Sequence, residues 1–119
     1  MANPKKVIAR FLLEAMSNLP PKDTGVEGVV IWVSVGEFSG AALQHGPRVK
    51  VMLGEKITSE GLGSAASVTL TDPPKVVGTL PGKVRKMVVR FIARNRAVLL
   101  DYWDGRLSSR EMLDLIQKV

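Results

Sequence analysis

A stripe of apolar residues runs for about five helical turns near the C-terminus of the chain. Its members recur at steps of three and four residues, which is the spacing of one buried side of an α-helix. Pro81 and Gly82 precede the stripe, and Gly105 follows it as a helix terminator. The sequence therefore predicts one long C-terminal helix with a single buried side. The stripe consists of Val84, Met87, Val88, Phe91, Ile92, Asn95, Leu99, Tyr102 and Trp103.

A second, shorter helix is predicted directly after Gly105. Ser108 is followed three residues later by Glu111, which is the pattern of a capping box. Met112 and Leu113 come next and begin another apolar run. The chain is therefore expected to end in two consecutive helices.

A third helix is predicted at the N-terminus, over residues 4–18. Asn3 and Pro4 form an N-cap and first-turn pair, and Pro20 with Pro21 ends the helix because proline has no backbone N–H. The segment that follows, up to Gly28, is interpreted as a linker. The apolar positions of the helix are Val7, Ile8, Phe11, Leu12, Ala15, Met16 and Leu19.

Strands are predicted in the middle of the chain. Residues 29–35 are mostly β-branched, and residues 48–52 alternate between cations and apolar side chains. Residues 67–70 resume a strand after a glycine-rich loop over residues 54–66, and residues 75–78 add a short edge strand. These segments are typical of a small antiparallel sheet with tight connections.

The order of elements predicts an α+β fold. We expect an N-terminal helix, an antiparallel sheet of three to five strands, and two C-terminal helices packed on one face of the sheet. With 119 residues the chain has room for one domain, residues 1–119. The helix within residues 1–20 either packs on the sheet or is peripheral and available to a second copy or a partner.

Composition excludes several classes of protein. The chain has no cysteine, which removes disulfides, thiolate metal sites and cysteine nucleophiles. The formal charge of +6 favours anionic partners. Residues 29–33 form the longest apolar run, far short of the roughly 20 residues that span a bilayer. No secretory signal is recognised, so we expect a cytoplasmic protein without a membrane partner.

The long helix carries an unusual set of cations. Lys83, Lys86, Arg90 and Arg94 follow steps of three, four and four residues and therefore lie on one side of the helix, and Arg85 and Arg96 flank them. Such a set can bind phosphates or carboxylates. The alternative is an ordinary solvated side of an amphipathic helix. Solvated sides usually mix both signs of charge, whereas this stretch has no acid before Asp101.

His45 and Arg48 lie between two predicted strands. A single histidine cannot form a metal site, and no nucleophile or carboxylate stands at a recognised catalytic spacing from it. His45 is interpreted as a polar turn residue. The alternative is that His45 and Arg48 converge on an anion, since both side chains donate hydrogen bonds.

Motifs for catalysis are not found. The glycine-rich residues 61–64 lie between two predicted strands, and residues 54–57 lack the Ser or Thr that a phosphate loop places after its lysine. The carboxylates do not cluster at the spacing of metal ligands. We therefore expect a protein that is not an enzyme and has no cofactor or metal. Tyr102 and Trp103 are adjacent, so one ring is expected to be partly exposed. Packing between the two helices is its preferred role, and the alternative is stacking on a base or on a side chain of a partner.

Residues 88–105 include paired leucines, Leu99 and Leu100, followed by Trp103 after a basic stretch. This arrangement resembles the terminal helix of small bacterial proteins in domain-of-unknown-function family 4160. Residues 45–51, which begin with His45, are similar to a short strand entry in that family. The resemblance covers about a third of the chain. It implies a regulator or a partner protein of the toxin–antitoxin kind.

The sequence leads to a function hypothesis with one alternative. The leading hypothesis is a non-enzymatic binding module, bacterial or phage in style, whose basic helix contacts nucleic acid or an acidic protein surface. Lys83, Lys86, Arg90 and Arg94 are the primary contacts, with Arg85, Arg96 and Arg48 secondary. The alternative is an assembly or inhibitor protein that acts through its apolar N-terminal helix, by self-association or docking, with the charge serving solubility.

Overall fold

A computed structural model describes residues 16–36, 46–54 and 57–119. Within these residues the chain forms an α+β structure of five strands and four helices. The strands are β1 (Met16–Leu19), β2 (Val29–Ser34), β3 (Arg48–Leu53), β4 (Ala66–Thr69) and β5 (Val76–Val77). The helices are α1 (Pro21–Thr24), α2 (Ser59–Gly63), α3 (Gly82–Trp103) and α4 (Ser109–Leu115).

The five strands form one antiparallel sheet in the order β1-β2-β3-β4-β5. Each strand therefore pairs with its neighbour in sequence. Strand β2 is apolar over its first five residues and is buried on both faces of the sheet, whereas β3 alternates and directs Val49 and Val51 to one face. That face includes Leu19, Val29, Ile31, Val33, Val49, Val51, Ala66 and Val68, all of them buried.

The opposite face of the sheet carries a smaller apolar cluster. Val30, Trp32 and Met52 are buried there, and α2 packs against β3. Lys50 lies opposite Trp32 in the β2–β3 register and is exposed. One face of the sheet is therefore covered by α3, and the other has both a small apolar cluster and charged side chains of β3.

The predicted N-terminal helix is wrong at its C-terminal end. Residues 16–18 belong to β1, whose register with β2 runs from Met16 opposite Ser34 to Leu19 opposite Ile31. Pairing with β2 supplies backbone hydrogen bonds that outweigh the local helical spacing. The remainder of that predicted helix, and with it the self-association hypothesis, lies outside the described residues.

The helices also differ from the prediction in number and placement. The predicted linker contains α1, because Pro21 occupies the first turn, where a missing N–H costs nothing. The predicted loop over residues 54–66 contains α2. Of the two C-terminal helices, α3 lies on the apolar face of the sheet, whereas α4 packs beside the end of α3.

The predicted long helix is confirmed. The buried residues of α3 are Val88, Phe91, Ile92, Asn95, Leu99, Tyr102 and Trp103, and Val84 with Met87 is partly buried. Gly105, the predicted terminator, has φ 76° and lies two residues beyond the last residue of the helix. The N–H of Gly105 donates to Tyr102 O at 3.0 Å, and the N–H of Arg106 donates to Asp101 O at 2.9 Å. This pair of bonds satisfies two of the last carbonyls of the helix.

The predicted capping box of α4 is also confirmed. The Glu111 N–H donates to Ser108 Oγ, and the Ser108 N–H donates to Glu111 Oε1, each at 3.1 Å. The hydrogen bond from the Ser108 N–H lowers the pKa of the Glu111 carboxyl below its ordinary value, and the Ser108 side chain lowers it further by a smaller amount. The charged carboxylate therefore stabilises the start of α4.

Asn95 joins the C-terminal segment, residues 116–119, to α3 through hydrogen bonds to Gln117. Its amide is 2% exposed, and all of its donors and one acceptor are used. Asn95 Nδ2 donates to Phe91 O at 3.0 Å and to Gln117 O at 2.8 Å, and Asn95 Oδ1 accepts the Gln117 N–H at 2.7 Å. Beyond this point the N–H of Val119 donates to Thr24 O at 3.0 Å. Residues 116–119 therefore cross α3 and reach α1.

We expect Asn95→Ala to lower the free energy of unfolding by about 2 kcal/mol, because the Gln117 backbone groups lose their partners. Urea unfolding followed by circular dichroism measures this loss. Asn18→Ala, at an exposed strand position, is the control and should change stability by less than about 0.5 kcal/mol. Equal effects of the two substitutions would contradict the role assigned to Asn95.

Tyr102 and Trp103 are both buried, so the expectation that one ring is partly exposed is wrong. The two rings enter different surroundings. Tyr102 joins the main core, and its hydroxyl lies 3.0 Å from both Ser17 Oγ and Ser109 Oγ. Trp103 packs against Gly36, where a Cβ atom would lie 2.4 Å from Trp103 Nε1. The missing side chain at Gly36 leaves space for the second ring.

We expect Gly36→Ala to displace the Trp103 indole and to lower the free energy of unfolding by about 1–3 kcal/mol, because the added methyl group overlaps the ring. Denaturant unfolding and tryptophan fluorescence measure the two effects. Gly63→Ala is the matched control, since no atom lies within 4 Å of a Cβ atom built at Gly63. The same stability loss in both variants would argue against a steric cause.

Candidate anion-binding surface

Four cations lie on the solvent side of α3, and we call Lys83, Lys86, Arg90 and Arg94 the cationic row. All four side chains are exposed. At 100° per residue they fall within an arc of about 80°, opposite the buried stripe. Their Cα atoms span about 16 Å along the helix axis. The structure thus confirms that the four residues share one side of a rigid element.

Acidic residues do not interrupt the cationic row. The sequence of α3 contains no Asp or Glu before Asp101, and the Asp101 carboxylate lies 3.8 Å from Arg106 Nη1. Within residues 16–36, 46–54 and 57–119, no carboxylate forms an ion pair with the row. The charges of the row are therefore not paired with a carboxylate of the described residues, and Asp72 is an acidic residue that lines the same groove as Arg94.

Arg94 is held in place by the C-terminal segment. Its Nη1 donates to Lys118 O at 2.5 Å. A guanidinium has five N–H donors, so Arg94 keeps most of its donors for another group. The carbonyl of Lys118 restricts the rotation of Arg94 without neutralising its charge.

The two flanking arginines have different surroundings. Arg96 is half-buried, and its Nε donates to Leu70 O at 2.9 Å, next to the end of β4. Arg85 is exposed and lies on the same flank of the helix, well away from the cationic row. The structure therefore does not join Arg85 to the row, and it gives Arg96 a packing role that sequence spacing did not indicate.

Arg48 lies on the far face of the sheet. Val49 and Val51 face α3, so the alternation of β3 directs Arg48 and Lys50 to the opposite side. Arg48 Nη1 donates to Gly46 O at 3.5 Å, and its position in the register is opposite Thr69. Arg48 is therefore separated from the cationic row by the sheet. His45 lies outside the described residues.

A shallow groove of about 520 Å³ runs beside the cationic row. Ala93, Ala97 and Leu100 line its α3 side, and the connection between β4 and β5 lines the other side with Asp72 and Pro74. Sequence reasoning did not identify this groove. Its only sequence signal is the pair of alanines four residues apart on the polar side of the helix.

The hydroxyls of Ser17, Tyr102 and Ser109 form a triangle, with Ser17 Oγ donating to Ser109 Oγ at 2.9 Å. No histidine or carboxylate in the described part of the chain hydrogen-bonds to these hydroxyls. The triangle joins β1, α3 and α4, which is a structural role. Among the same residues, no group of three His, Asp or Glu side chains is placed to bind a metal ion.

Comparison of the chain with protein-family models, with curated proteins and with solved structures found no match. A search of the described helices for one long and apolar enough to cross a bilayer also found none.

The two flanking arginines provide a test of this description. We expect Arg96→Ala to lower the free energy of unfolding by about 1 kcal/mol, because Leu70 O loses a charged donor in a half-buried position. Arg85→Ala removes the same side chain from an exposed position and should cost less than about 0.5 kcal/mol. Thermal and urea unfolding of the two variants measure the difference, and equal losses would contradict the assignment.

Proposed function

We propose that this protein is a small non-enzymatic binding module whose cationic row contacts an anionic partner. The observation that carries the proposal is the uninterrupted line of four exposed cations opposite the buried stripe of α3. A line of one charge on a rigid helix contacts successive anionic groups without reorganising the backbone. Nucleic acid and an acidic protein surface both offer such groups.

The ordinary alternative is a solvated helix side with no partner. Solubility is served equally well by mixed charges, which also add stability through pairs four residues apart. The cationic row forgoes that gain, because like charges three or four residues apart repel each other. Solubility depends on the net charge of the chain, +6, and not on where the cations lie, so it does not account for their alignment on one side of α3.

The length of the row sets the strength of binding to a polyanion. One strand of B-form DNA carries a phosphate about every 3.4 Å of helix axis, so a row of about 16 Å can face several phosphates. Four contacts predict that the logarithm of the binding constant falls with the logarithm of the salt concentration at a slope of about −3.6. This contribution is electrostatic and does not depend on base sequence.

We expect a fluorescein-labelled 16-base-pair DNA duplex, or poly-L-glutamate, to bind at low salt and to be released as salt rises. For the duplex, fluorescence anisotropy should give the slope of about −3.6, and Lys86→Ala or Arg90→Ala should reduce its magnitude by about one. The slope is reduced because each variant releases one fewer counterion.

Arg85→Ala is the control for this experiment, since it removes an exposed cation of α3 that does not belong to the cationic row. Its slope should equal that of the unmodified protein. The proposal is wrong if neither polyanion binds at low salt. It is also wrong if Arg85→Ala lowers the slope as much as Lys86→Ala does.

A further inference from the structure

The lining of the groove beside the cationic row indicates which class of anionic partner fits this surface. We propose that the groove binds an acidic segment of another protein, with one aliphatic side chain in the groove and carboxylates on Arg94 and Arg96. This inference rests on the proposed function, because it assigns the anionic partner to one class. It differs from that function in requiring an apolar contact as well as charge.

The two arginines stand on either side of the groove. At 100° per residue, Ala93, Ala97 and Leu100 occupy an arc of about 60° between the positions of Arg94 and Arg96 on α3. Arg94 and Arg96 line the groove together with these three residues. An occupant of the groove therefore lies between two cationic residues.

Each of the two arginine side chains donates a hydrogen bond to a backbone carbonyl in the unbound protein. Arg94 is bonded to Lys118 O and Arg96 to Leu70 O, so each side chain has a backbone anchor. Each guanidinium has donors left, which suit the two oxygens of a carboxylate. Because the side chains are already ordered, binding loses less rotamer entropy than it would with mobile lysines.

The surface between the arginines is apolar and shallow. Ala93 and Ala97 are small, and Leu100 and Pro74 add aliphatic carbon. The groove lining in the described residues has no aromatic ring, and Phe91, Tyr102 and Trp103 of α3 are buried. A nucleic-acid base would find no ring to stack on, whereas an aliphatic side chain finds a matching surface.

Asp72 favours a peptide over a nucleic acid. It is exposed and lies on the β4–β5 side of the groove. The charge of this carboxylate repels phosphates and glutamate side chains alike, so the choice rests on hydrogen bonding. A carboxylate only accepts hydrogen bonds, and a peptide backbone offers it N–H donors, whereas the backbone of DNA has none. The groove is thus complementary to a chain that has both carboxylates and amide donors.

The experiment compares two peptides of equal charge. The fluorescein-labelled peptides are Gly-Glu-Glu-Leu-Glu-Glu-Gly and the same peptide with glycine in place of leucine. We expect the leucine peptide to bind the full chain about fivefold more tightly, because about half of its side chain leaves water. Anisotropy titrations at constant low salt measure the ratio of the two affinities.

Ala97→Phe fills the groove at an exposed helix position, and we expect it to reduce this ratio to about one. Leu113→Phe, at an exposed position of α4 away from the groove, is the matched control and should keep the ratio. Circular dichroism melts of both variants show whether the fold is retained.

Four outcomes distinguish this inference from the proposed function. A leucine preference that Ala97→Phe removes and Leu113→Phe keeps supports the groove. Equal binding of the two peptides, with normal salt dependence, overturns the groove and leaves the function standing. Binding of the 16-base-pair duplex without either peptide overturns the acidic-protein assignment in favour of nucleic acid. Failure of all three probes to bind overturns both proposals.

Discussion

Burial of one side of α3 against the sheet is the constraint on which the other features depend. Val88, Phe91, Ile92 and Leu99 are completely buried on this side. Each such side chain contributes about 1.5–3 kcal/mol by leaving water. Turning the helix by one residue, about 100°, would carry cations toward the core, where an unpaired charge is very unfavourable. The packing of α3 therefore also fixes which side of it faces solvent, and so fixes the cationic row.

Asn95 is the polar exception within the buried stripe. A buried amide stabilises a structure only when its hydrogen bonds are made, and Asn95 makes them with Phe91 and with both backbone groups of Gln117. The C-terminal segment held in this way supplies the carbonyl of Lys118 to Arg94. Asn95 thus holds the segment whose Lys118 carbonyl accepts a hydrogen bond from Arg94, the residue before it in sequence.

The two proposals assign two kinds of contact to the surface of α3. The cationic row would provide a long-range attraction that salt screens, and the groove would provide a short-range apolar contact that salt leaves largely unchanged. Arg94 belongs to both, since it is the last member of the row and also lines the groove. A partner that uses both surfaces would be attracted by charge and selected by its aliphatic side chain. The cationic row would then govern the rate at which the partner is encountered, and the groove would govern which partner is bound.

The sequence by itself determined the features that depend on near neighbours in the chain. The buried side of α3, its end at Gly105, the capping box at Ser108 and the shared side of the cationic row all follow from spacings of three to five residues. Distant contacts decided the rest. Residues 16–18 form a strand because they pair with β2, and Trp103 is buried because Gly36 has no side chain. Arg96 is half-buried where it donates a hydrogen bond to Leu70 O. The groove likewise needs residues 71–74 and 93–100 together, and local periodicity carries no information about which distant segments meet.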